Sequence, residues 1–84
     1  MADEGKKVGV VTHYYNKIGV GIVKFDEPVK VGDTLYFKGH TSDFKQKITD
    51  MEFDHQKIQE AKKGQEVGIK VDQRVHENDQ VFLV

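Results

Sequence analysis

The chain has no cysteine, which removes a disulfide framework, a thiolate zinc site and a cysteine nucleophile together. Small extracellular domains commonly need such staples, so an intracellular, cytoplasmic location is the default expectation. Serine occurs once, at Ser42, without a Gly-x-Ser-x-Gly elbow or a convincing base and orienting acid. No Gly-x-x-x-x-Gly-Lys-Ser/Thr loop is present, so GTP binding is not expected. No apolar run approaches the ~20 residues that span a bilayer. The opening Met1-Ala2-Asp3-Glu4-Gly5-Lys6-Lys7 is polar rather than signal-like, and no membrane partner is expected. A basic surplus is also missing, with 13 Lys and Arg against 14 Asp and Glu and a formal net charge of -1. Proteins that bind a phosphate backbone usually carry such a surplus, so strong non-specific nucleic-acid binding is disfavoured. The balance shifts along the chain: residues 1–47 hold eight lysines against six acids, while residues 48–84 hold four lysines and Arg74 against eight acids.

What is present is a pattern of short extended segments. At 84 residues there is room for one core, and 37% hydrophobic composition supplies enough apolar area to offset the chain entropy of a small domain. We expect residues 1–6 to form a flexible tail and residues 7–84 a single domain. Residues 8–15 are β-branched and aromatic, which crowds a helix at Cβ and suits a strand. Asn16-Lys17 reads as a turn, and residues 18–25 as the returning strand, whose interior glycines suit bulges or tight bends. Asp26-Glu27-Pro28 is a stop, Gly32-Asp33 opens a third strand over residues 34–37, and residues 38–43 form a loop.

Alternation over residues 44–53 predicts one half-buried strand with a bulge. Residues 55–63 offer only Ile58 and Ala61 as an apolar face before Gly64, so one helical turn at most is expected there. Residues 67–71 and 80–84 give two more strands, the last preceded by the turn Asn78-Asp79. A segment echo accompanies them: both Gly32-Asp33 and Asn78-Asp79 place a residue that tolerates positive φ before Asp and an apolar strand. Five to six short strands with regularly spaced turns predict an all-β fold, a small closed antiparallel β-barrel of about six strands. Gly32, Asp33, Gly64, Asn78 and Asp79 are its structural turns.

Chemistry-bearing residues are scattered. His13, His40, His55 and His76 lack the close spacing that brings two imidazoles to one metal, so no metal or other cofactor is expected. Paired acids such as Asp26 with Glu27 or Glu77 with Asp79 sit in turns and read as solvated turn-formers, leaving no catalytic residue to assign. The densest cluster is His13-Tyr14-Tyr15-Asn16-Lys17, in which an exposed tyrosine could stack a base while Lys17 meets a phosphate. The structural alternative seats one tyrosine on the core and the other across strands. Lys45-Gln46-Lys47, with Lys38 and Lys24 on strands that would neighbour it, is a second candidate strip, whose simpler reading is a solvated face. The candidate RNA- or partner-binding residues are thus Tyr14, Tyr15, Lys17, Lys45 and Lys47.

The order of these signals resembles domain II of the translational GTPases. The matching segments are Gly19-Val20-Gly21-Ile22-Val23, Val29-Lys30-Val31-Gly32-Asp33-Thr34-Leu35, Ile48-Thr49-Asp50-Met51-Glu52-Phe53, Glu66-Val67-Gly68-Ile69 and Asn78-Asp79-Gln80-Val81. The resemblance covers about residues 8–84 and implies a barrel of the elongation factor Tu domain 2 kind, standing alone. It further implies a non-catalytic module that binds RNA, the ribosome, tRNA or a translation protein. Two positions depart from that pattern. Ile22 stands where elongation factor Tu-like proteins commonly carry an arginine, and Glu77-Asn78 stand where a basic residue and glycine are usual. The chain also resembles the barrel near the C-terminus of collagenase-like peptidases. That likeness implies the alternative, an accessory protein-interaction domain docking on a partner enzyme without RNA contact.

Overall fold

The computed structural model describes residues 5–84. The elements are β1 (Lys6–Tyr15), β2 (Val20–Phe25), β3 (Val29–Lys30), β4 (Thr34–Lys38), β5 (Asp43–Lys47), β6 (Met51–Phe53), β7 (Gln56–Ile58), β8 (Glu60–Ala61), β9 (Glu66–Lys70) and β10 (Gln80–Leu83). No helix occurs among the described residues, as the all-β reading predicts. Eight strands form one antiparallel sheet in the order β5-β4-β10-β1-β2-β9-β6-β7, and β3 pairs with β8 apart from it. Alternate residues of the curled sheet turn inward, so Val23 and Phe25 of β2, Leu35 and Phe37 of β4 and Val67 and Ile69 of β9 meet in one core. Phe37 stacks on Phe44 with ring centroids 5.0 Å apart, and burying side chains of this size contributes ~1.5–3 kcal/mol each.

The strand count and the closure differ from expectation. Among the described residues ten strands replace about six, and the sheet curls into a half-barrel whose backbone ladder ends at β5 and β7. The cause lies in the stretch read as one bulged strand. Phe44, Gln46 and Ile48 are buried at a spacing of two, but the next buried residue is Met51. The alternation therefore resets, and the chain leaves β4, which β5 pairs with, for β9, which β6 pairs with. The open side between β5 and β9 is crossed by a side chain. Gln46 donates from Nε2 to the Lys70 carbonyl at 2.8 Å, and its Oε1 accepts from the Asp72 amide at 2.7 Å. A buried amide that satisfies two backbone groups in this way replaces two rungs of a ladder.

Two connections also differ. Where one helical turn at most was expected, Asp54 and His55 take φ of 55° and 63° between the paired residues Phe53 and Gln56. Positive φ at both central residues makes a two-residue hairpin turn whose twist matches the flanking strands. The first hairpin turn is wider than Asn16-Lys17: Tyr15 pairs with Val20, and the Gly19 amide donates to the Tyr15 carbonyl at 2.9 Å. The bulges fall in β1, where the register shifts between Lys7 and Gly9 and between Val11 and His13, not in glycine-rich β2. Gly21 serves close packing instead, since a Cβ there would lie 2.9 Å from Cγ2 of the buried Val75.

One turn device appears three times and launches β4, β9 and β10. The amides of Asp33, Gln65 and Asp79 donate to the carbonyls of Lys30, Lys62 and His76. The residue before each takes positive φ: Gly32 100°, Gly64 88° and Asn78 75°. In each turn the side chain of the fourth residue accepts from the amide of the first, Lys30 to Asp33 at 3.0 Å, Lys62 to Gln65 at 2.8 Å and His76 to Asp79 at 2.8 Å. Two hydrogen bonds per corner leave few backbone groups unpaired where the strands begin.

Candidate functional site

The candidate residues fall into two separate patches. At the β1–β2 tip, Tyr14 is half-buried, packing on the core cluster while still lining the surface hollow beside Asn16 and Lys17, and Tyr15 points outward at 48% exposure. Residues two apart share a strand face, so His13 lies beside Tyr15 with ring centroids 4.4 Å apart and planes inclined by 62°. His13 Nδ1 sits 3.6 Å from the Glu77 carboxylate. Tyr15 thus already has an aromatic neighbour, Lys17 beside it is exposed, and Arg74 lines an adjoining hollow with His13 and Tyr14.

Lys45 and Lys47 lie on β5, with Gln46 between them turned into the interior. In the sheet β4 and β10 intervene between β5 and β1, so these lysines do not join Tyr15 and Lys17. Lys38 is on the neighbouring β4, but Lys24 is on β2, farther round the sheet. The strip is also partly engaged, with Lys45 Nζ 6.0 Å from the Tyr36 ring centroid. Tyr36 donates its hydroxyl to Asp43 at 2.6 Å. That hydrogen bond, with a smaller contribution from desolvation and from the charge of Asp43, raises the Tyr36 pKa above the ordinary tyrosine value.

Ser42, His76 and Asp79, far apart in sequence, come together. Ser42 and Asp79 are buried, and the Ser42 hydroxyl donates to the Asp79 carboxylate. His76 Nδ1 lies 3.4 Å from the Ser42 hydroxyl and 3.9 Å from the Asp79 carboxylate. In a nucleophile–base–acid relay the two ring nitrogens face different partners, one the serine and the other the acid. Here a single nitrogen faces both, and the serine gives its proton directly to the carboxylate. The arrangement ties the loop at residues 39–42 to the last turn and does not prepare a nucleophile. No cluster of three metal-ligating side chains occurs among the described residues.

Sequence reading missed a groove on the outer face of β2, β9 and β6. Gly68 pairs with Ile22 on one side and Glu52 on the other, and its missing side chain leaves a trough of about 350 Å³. Tyr15, Ile18, Val20 and Ile22 form the apolar side, with Ile18 59% exposed. Glu52, Asp54, His55 and Glu66 form the rim. Glu66 faces Lys24, and Glu52 faces Lys57, in register across the neighbouring strands. The signal was in the chain: Val20 and Ile22 alternate with buried Gly21 and Val23, so β2 is apolar on both faces.

A small curled antiparallel sheet with a shallow groove is an architecture that many functions share. Known proteins narrow this. No family model matches the chain. An uncharacterized protease from Methanocaldococcus jannaschii is 32% identical over 79 residues, 93% of this chain but 19% of that protein, so the chain spans about a fifth of its curated relative's length. Among solved structures, the C-terminal domain of a candidate U32 peptidase from Geobacillus thermoleovorans matches with a TM-score of 0.87 at 21% identity, covering 94% of this chain and 92% of that one. Its selenomethionine variant matches with a TM-score of 0.87 at 21% identity, covering 92% and 98%. The fold is therefore that of the collagenase-like peptidase barrel. These likenesses do not support identification with domain 2 of elongation factor Tu, nor translation or RNA binding. No described helix is long and apolar enough to cross a membrane.

Proposed function

We propose that this chain is a non-catalytic accessory module that docks on a partner protein, and that the partner belongs to the peptidase class of its relatives. One observation carries this reading: the match to a protease takes in 93% of this chain and only 19% of that protein. What the two share is a module, with most of the protease lying outside it. The solved neighbours are likewise C-terminal domains. The composition agrees, since a net charge of -1 suits a protein partner better than a phosphate backbone.

Affinity purification of the tagged chain from a nuclease-treated lysate tests this. The expected result is a defined protein partner with a peptidase-type catalytic domain, recovered equally with and without nuclease. Recovery of ribosomal proteins or tRNA that vanishes on nuclease treatment would refute it.

A further inference from the structure

Resting on that accessory reading, we infer that the outer face of β5, β4, β10 and β1 is the docking surface, and that its occupant is a protein segment bearing two or three closely spaced carboxylates. Lys45, Tyr36, Phe82 and Lys7 lie in register across these four adjacent strands. They share the solvent face, since Phe37 and Val81, their alternating neighbours on β4 and β10, belong to the core cluster and Phe82 does not. Neighbouring strands lie ~4.8 Å apart, so the row spans ~14 Å with a lysine at each end. Between the lysines, the Tyr36 and Phe82 rings meet with centroids 6.0 Å apart. Lys47 follows on the same face of β5, ~6.8 Å beyond Lys45.

Neighbouring acids do not cancel these three charges. Asp43 faces Lys38 in register and accepts the Tyr36 hydroxyl. Asp33 accepts from the Lys30 amide at 3.0 Å, Glu27 holds Lys6 at 3.3 Å, and Glu66 faces Lys24 from β9. Among the described residues no carboxylate forms an ion pair with Lys7, Lys45 or Lys47. The number and placement of the lysines select the occupant. Proteins that grip a phosphate backbone commonly make ~6–10 phosphate contacts, and three lysines bordered by Asp43 and Glu66 fall short of that. Neither ring offers an open face to a base, because Phe82 is buried and Lys45 lies over Tyr36. An extended segment with carboxylates two residues apart matches the spacing of Lys45 and Lys47, and a further carboxylate ~14 Å across the sheet meets Lys7.

Amide chemical shifts of the isotope-labelled full chain test the assignment, with a synthetic peptide alternating glutamate and valine as the probe. A control peptide replaces each glutamate by lysine. The glutamate peptide is expected to shift the amides of Lys7, Tyr36, Lys45, Lys47 and Phe82. It should bind less tightly at ~1 M salt, where the Debye length is ~3 Å, than at ~0.1 M, where it is ~10 Å. The lysine peptide is expected to leave those amides unmoved. The triple variant K7Q/K45Q/K47Q, checked for an unchanged fold by circular dichroism, should bind the glutamate peptide about tenfold more weakly or worse. The double variant K62Q/K63Q, in the turn that launches β9, should bind as the parent does. Shifts centred on the groove over Gly68, equal binding of the two peptides, or full binding by the triple variant would overturn the inference. So would oligouridylate that shifts the same amides at lower concentration than the glutamate peptide. If purification recovers a protein partner that K7Q/K45Q/K47Q still binds in full, the face assignment falls and the accessory reading stands. If no protein partner is recovered, the accessory reading falls whatever the peptide does.

Discussion

The Tyr36 hydroxyl is less acidic than an ordinary tyrosine's, and its hydrogen bond sets the sign of the pH dependence. The hydrogen bond to Asp43 favours the protonated phenol, so the folded value lies above the ordinary one. The stability it contributes is fully present below the unfolded tyrosine value and is lost as pH rises through the shifted one. Because the ring edge faces water, screening keeps the contribution small. In a spectrophotometric titration Asp43→Asn should move one phenolate transition to lower pH, and an unchanged titration curve would contradict the pairing. The buried Asp79 corner has a larger stake. Asp79→Ala removes the acceptor for the Ser42 hydroxyl and the His76 amide, so denaturant unfolding should show a loss of ~1–3 kcal/mol. Ser42 itself should stay unlabelled by a fluorophosphonate probe, because its proton goes to a carboxylate and its Oγ is buried. Labelling would reinstate a nucleophile.

Among the elements, β1, β2, β4, β9 and β10 were legible because each alternates or runs apolar between residues that turn the chain. The split of residues 44–53 into β5 and β6 was not, since alternation resumes at Met51-Glu52-Phe53 and the adjacent polar Thr49 and Asp50 read as a bulge within one strand. What breaks it is the demand that Ile48 and Met51 both face inward, a demand set by β4 and β9 together. The β6–β7 hairpin was hidden for another reason. Its turn is Asp54-His55, without glycine, so it lacks the composition that usually marks positive φ at two successive positions. Replacing His55 by Gly should relieve an αL penalty of ~1–2 kcal/mol and raise the melting temperature, and a lower one would contradict the turn. Gln46 was legible as an inward position but not as a clasp, because its partners lie more than twenty residues away. Gln46→Leu should speed hydrogen exchange of the Asp72 amide and cost ~1–3 kcal/mol. An Asp72 amide that stays as protected as before would mean that something else closes that side.

At the scale of the molecule, a Cα radius of gyration of 11.3 Å is what a compact chain of this length adopts, ~12 Å. The interior was readable from the sequence since burial follows hydrophobicity and spacing. The exterior was less so. Tyr15 and Lys17 drew notice because they are adjacent, whereas the groove is assembled from β2, β6 and β9, whose neighbourhood only the fold creates. Likewise Ser42, His76 and Asp79 met in space without a motif to announce them, and their geometry proved structural. The most direct measurement of the central claim is sedimentation velocity of the purified chain mixed with its purified peptidase-type partner in the presence of ribonuclease. A stoichiometric complex that persists at moderate salt is the predicted result. Free chain alongside free partner, with the chain co-sedimenting instead with ribosomal subunits when ribonuclease is omitted, would contradict it.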